Sequence, residues 1–228
     1  MAKEELDEGF LEGIEESALM CKDFLLSDIN IEKNIIVRAH NFEDKIMSID
    51  NLFARLLFSE ADEYTKLHGF LDSLLSGFLR IQKLLEKEMK HEFHFVKEEK
   101  GLVAKLRADL QHKNWRAAFK VSKEVSEKEV KELRVDIGFL KKIIKEFRII
   151  LDLIEKEEHV VIEEEQIVAL KHKGKSVEEL NHLVHYVHAL YQFVRFYKNV
   201  FEQMVKKEEL LLLEAQKKNS MLRRGRNG

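Results

Sequence analysis

The chain has 228 residues, 45% hydrophobic and 36% charged, with a formal net charge of −3 and no proline. That much apolar material excludes disorder, and the near-balanced charge argues against nucleic acid as the partner. At a usage of roughly 5% about eleven prolines are expected; because proline ends helices, having none points to a few very long helices with little loop.

Cys21 is the only cysteine, so no intrachain disulfide is expected, and Met1-Ala2-Lys3-Glu4-Glu5 is not the start of a secretory signal. A reducing cytoplasm is the expected location. No apolar run approaches the roughly 18 residues that cross a bilayer, so no transmembrane segment is expected.

Leu6, Phe10, Ile14, Cys21 and Phe24 mark one face of a short acidic helix over 1–28, with Ser27-Asp28 as its end. Ile35, Ala39, Phe42, Ile46, Ile49, Phe53 and Leu56 then alternate at four- and three-residue steps, the seam of a coiled coil, and predict a helix over about 29–58. Ser59-Glu60-Ala61-Asp62 leaves open whether the chain continues or restarts there.

A helix over about 60–111 carries Leu67, Leu71, Leu74, Phe78, Ile81 and Leu85, and the apolar seam then steps by four to Met89, Phe93 and Val96 as a stutter. His112-Lys113-Asn114 is the expected end. The next helix, about 115–170, places Val130, Leu133, Ile137, Leu140, Ile144, Phe147, Leu151 and Ile154 on one face, with Ser126 and Glu129 spaced as a capping box. Lys171-His172-Lys173-Gly174-Lys175-Ser176 predicts a reversal, and a final helix runs over about 176–216. Residues 217–228 read as a basic, disordered tail.

Long helices on short connections must lie beside their neighbours, so the fold class is all-α: an elongated antiparallel bundle of three to five long helices with coiled-coil-like packing. Residues 29–216 form that bundle.

Three functional readings remain. The first is a non-enzymatic helical scaffold or adaptor with no cofactor, self-associating as a homodimer or meeting partner protein helices. Its expected interface is the second apolar stripe of the last helix, Tyr186, Phe193, Phe196 and Val200. The second is a metal-binding bundle using His182, His185 and His188, since imidazoles three residues apart on one helix can share an ion.

The third is a peripheral membrane-surface protein, resembling in architecture alone the helical dimers that mould curved membranes. Lys217, Lys218, Arg223, Arg224 and Arg226 would then meet phosphate or lipid headgroups. Two Glu-x-x-His pairs, Glu88 with His91 and Glu179 with His182, have the spacing found in di-iron bundles. Glutamate is common enough that ten histidines give about 1.4 such pairs by chance, so the motif carries no information alone. Nor does the chain hold a phosphate loop, a nucleophile elbow or a paired-cysteine zinc motif, and no catalytic residue is expected.

Overall fold

In the computed structural model four helices pack against one another, α1 (Ala2–Leu56), α2 (Ala61–Gln111), α3 (Trp115–Lys171) and α4 (Lys175–Arg224). The structure describes residues 2–56, 61–171 and 175–224, with side chains described outside 1–8, 52, 53, 55–64, 157–184 and 224–228. Among the described residues there is no strand, and no helix is long and apolar enough to cross a membrane.

Two boundaries differ from the sequence reading. α1 runs unbroken through Ser27-Asp28, because the Asp28 side chain points into the bundle and is 2% exposed instead of capping a new helix. α4 continues to Arg224 through the expected tail, held by Leu222, which is buried against Leu11, Ala118 and Val121. Likewise Ser126 and Glu129 lie buried inside a continuous α3, and Ser126 Oγ donates to the Ala215 carbonyl at 3.4 Å, so they start no helix. Ser59-Glu60 and the reversal at 172–174 lie outside the described residues.

The α2–α3 turn is made by Lys113. Its φ of 56° is left-handed, Asn114 N–H reaches back to the Asp109 carbonyl at 2.8 Å and Lys113 N–H to the Leu110 carbonyl at 3.0 Å. This pair of bonds is a Schellman cap. The Asn114 carbonyl then accepts from Ala118 N–H at 2.9 Å and opens α3.

The chain divides into two units. Unit 1 comprises Met1–Lys33, Glu86–Leu140 and Gln203–Gly228, so all four helices contribute to it. One layer joins Leu11, Ile14 and Ala18 to Val103, Leu106, Ala118, Val121, Val125 and Leu222; the next joins Cys21 and Leu25 to Phe95, Val130, Leu133 and Ala215. As α1 and α3 ascend in number α2 and α4 descend, so neighbours are antiparallel. Burying these stripes removes apolar surface from water at about 25 cal/mol per Å².

Unit 2 comprises Asn34–Leu85 and Lys141–Glu202. Its core is aromatic and aliphatic: Phe42 lies 6.0 Å from Phe78, 5.6 Å from Tyr186 and 4.7 Å from Phe193 between ring centroids, and Phe147 lies 5.7 Å from Phe201. Ion pairs of 2.8 Å, Arg80 with Glu146 and Arg148 with Glu202, fasten its surface.

Candidate metal centre

In unit 1 the seam does not stay apolar. Along one line of α2 the buried residues run Ile81, Leu85, Glu88, Glu92, Phe95, Glu99, Val103, Leu106, with three- and four-residue steps alternating as far as Glu99 and a second four-residue step from there to Val103. Following apolar residues alone leads off this line to Phe93, which is 45% exposed. Between Leu85 and Glu99 there is accordingly no stutter: the seam continues with glutamate in place of leucine, and the extra four-residue step comes later, at Glu99–Val103. The other helices do the same, α1 with Asp28 and Glu32, α3 with Glu129, Glu132 and Asp136, α4 with Glu208.

Asp28, Glu32, Glu88, Glu92, Glu132, Asp136 and Glu208 form a group of seven carboxylates, none more than 6% exposed. Neither oxygen of Glu32, Glu88 or Asp136 meets a hydrogen-bond donor, and Asp28, Glu92, Glu132 and Glu208 each keep one buried oxygen without one. The groups near enough to Glu32 to bond it, Glu88 and Glu92, are carboxylates themselves. Ionised carboxylates only accept, so such contacts require a shared proton or a cation. Buried ionised carboxylates without a counter-charge are too costly to persist.

One imidazole joins them. His91 Nδ1 lies 2.8 Å from Glu132 Oε1 and 3.6 Å from Asp136 Oδ1. The shorter approach is not aligned as a hydrogen bond, so distance alone links these atoms. Ligand atoms of His91, Glu132 and Asp136 all lie within 4.8 Å of one another, the spacing of donors that share an ion. The ring of His91 also leans on Phe139, with centroids 6.2 Å apart.

The electrostatics follow from burial. Desolvation is the first cause of the shift in each of these seven carboxylates: it pushes Asp28 up to about 7, Glu132 and Asp136 to about 8, and Glu208 to about 10. Glu32, Glu88 and Glu92 are raised as well, and the charge of Asp136 adds to the burial of all three and of Glu208. Lys207 opposes the shift of Asp28 and Lys131 that of Glu132. His91 moves down, by burial first and then by His94 and Lys131, which favours the neutral imidazole that a metal takes as ligand.

Known protein families, curated proteins and solved structures offer no match to this chain. Its function must be read from its own residues.

Of the histidines singled out in sequence, His185 and His188 are exposed on α4, and the side chain of His182 lies outside the described ones. Among the described residues the grouped donors are instead on α2 and α3. Tyr186 and Phe193 are occupied within unit 2, where Tyr186 Oη donates to the Phe42 carbonyl at 3.3 Å; Val200 is half-buried and Phe196 is 61% exposed. In the basic segment, Lys217 is exposed, Lys218 Nζ reaches the Gly13 carbonyl at 3.5 Å and Arg223 lies 3.5 Å from Glu127. The side chains of Arg224 and Arg226 lie outside the described residues. The Glu88–His91 pair, set aside on frequency, carries two members of the buried site; the signal that distinguishes it is that Glu88 falls on the seam.

Proposed function

We propose that this protein is a metal-binding helical bundle whose site lies in unit 1. The observation that carries the reading is the set of seven buried carboxylates, each with at least one oxygen that meets no donor, joined by one imidazole. Carboxylates with a single histidine suit a hard or borderline divalent ion, Mn²⁺ or Fe²⁺, better than zinc, which favours Cys and His. In four-helix bundles, inward-pointing glutamates and a Glu-x-x-His pair hold such ions. His91, Glu132 and Asp136 supply the nucleus of the site and the remaining carboxylates its charge.

Elemental analysis of protein grown with added iron and manganese, followed by chelation and Mn²⁺ reloading, tests the reading. At 100 times Kd a ligand that binds the folded state alone adds about 2.7 kcal/mol. For a chain of this size that is a Tm rise of roughly 5–10 °C. Asp136→Asn and Glu88→Gln are expected to abolish or weaken the rise. No bound ion, and no shift in Tm, would refute the proposal.

A scaffold role rests on a different surface. Leu210, Leu213 and Met221 of α4 are 64%, 54% and 56% exposed and share one helical face. That stripe suits a helix of a second copy. Sedimentation of wild type against Leu210→Glu/Leu213→Glu decides it: concentration-dependent dimers lost in the variant support self-association, and a wild-type monomer at all concentrations rejects it.

A further inference from the structure

We infer that the site holds two cations, an outer one on His91 and Glu132 and an inner one on Glu32, Glu88 and Glu92, with Asp136 shared between them. The inference rests on the metal-binding reading above and adds the number and placement of the ions.

Depth separates the donors. The His91 side chain is 37% exposed and Glu132 8%, so an ion on this pair sits near the bundle surface between α2 and α3. Glu32, Glu88 and Glu92 are at most 1% exposed and come from α1 and α2. Among the described residues, the donors lying within 4.8 Å of one another are His91, Glu132 and Asp136. Glu32, Glu88 and Glu92 are not so gathered; an ion among them would draw them together, and what calls for it is their burial with oxygens that meet no donor.

Helix geometry gives the same division. Glu88 and Glu92 stand one turn apart on the inward face of α2, while His91 is rotated about 60° from Glu88 around the axis. A histidine in that position flanks the inner carboxylates. Both Glu32 and Glu88 are fully buried with all four oxygens lacking donors, which a single outer ion on His91 would leave unanswered.

Asp136 is placed to join the two. It is fully buried, one oxygen lies 3.6 Å from His91 Nδ1, and neither oxygen meets a donor. A carboxylate with both oxygens open can bridge ions about 3.5–4 Å apart. Charge favours the pair: one divalent ion offsets two of the seven carboxylates and two ions offset four, with Lys207 and Lys131 near Asp28 and Glu132.

The test is made on the full chain, stripped with chelator and dialysed against Mn²⁺ alone. Bound manganese is counted by elemental analysis, and low-temperature electron paramagnetic resonance separates an exchange-coupled pair from isolated ions. Wild type is expected to bind two ions per chain with a coupled signal. His91→Ala and, separately, Glu32→Gln/Glu88→Gln are each expected to bind one, with the resolved hyperfine lines of an isolated ion.

One uncoupled ion in wild type overturns the pair while leaving the metal-binding reading intact; none overturns both. Two coupled ions retained in either variant overturn the assignment of its donors. The wild-type count and signal decide the number of ions even where a variant loses helicity, and Asp136→Asn then tests the bridge through loss of the coupling.

Discussion

Glu99 and Glu129 form a further pair of buried acids in unit 1, beside Cys21, and the charge of Glu99 reaches Glu132. Burial first, then the charge of Glu129, raises Glu99 to about 8; burial raises Glu129 to about 7 against the pull of Lys218. Lys22 and Lys128 also face Glu99. An acid whose folded pKa is raised is neutral in the fold where the unfolded chain is already ionised, so its contribution to stability falls as pH climbs from about 4.5 to 8. Glu99→Gln/Glu129→Gln, measured by urea unfolding, is therefore expected to match wild type near pH 4.5 and to exceed it by several kcal/mol at pH 9. Equal stability at both pH values would show these acids to be hydrated.

His68 has the opposite sign. Its Nδ1 lies 2.9 Å from Asp50, and that hydrogen bond, aided by the charge of Asp50, raises its pKa. The pair contributes fully below the ordinary histidine range and is lost as pH rises through the raised value. His68→Gln is expected to cost measurable stability at pH 5.5 and little at pH 9, with a small effect because the pair is exposed.

At the scale of the element, the helices were legible because their apolar seams are long, and the Lys113 turn because no apolar residue continues the pattern through His112-Lys113-Asn114. What following hydrophobicity alone missed is that a seam is a geometric line. Glu88, Glu92 and Glu99 keep its spacing while breaking its chemistry, and Phe93 has the chemistry off the line. Asp28 misled in the same way, since a short polar side chain suits a cap until burial claims it.

Two substitutions test element packing. A left-handed residue other than glycine costs about 1 kcal/mol, so Lys113→Gly is expected to raise stability by that order in thermal unfolding. At Gly77 an added Cβ would stand 2.8 Å from Ile150 Cγ1, whereas Gly101 meets nothing within 4 Å. Gly101→Ala is thus expected to gain up to about 1 kcal/mol of helix stability, and Gly77→Ala to lose about 1–2 kcal/mol to overpacking. A gain at both positions would mean that Ile150 moves aside freely.

At the scale of the molecule, the same four helices build two different interiors. Every buried acid among the described residues belongs to unit 1; among the described side chains of unit 2 the one buried polar residue is Gln82, whose Nε2 lies 3.0 Å from His40 Nδ1. Unit 2 shows that this chain can build an apolar seam, and on the proposed reading the acids of unit 1 serve an ion instead of the fold. Replacing Glu32, Glu88 and Glu92 together with leucine is expected to raise the Tm of the metal-free chain and to abolish its response to Mn²⁺. A fall in Tm would mean that the acids support the fold without an ion.

The acids of the site are drawn from all four helices, from Asp28 to Glu208. No stretch leaving the ribosome early holds a complete cage, and a half-assembled unit keeps like charges apart until counter-ions arrive. If the proposed ions bind, their supply would time the last step of maturation: in metal-starved cells the chain would then linger partly open, exposed to proteases that the loaded form resists.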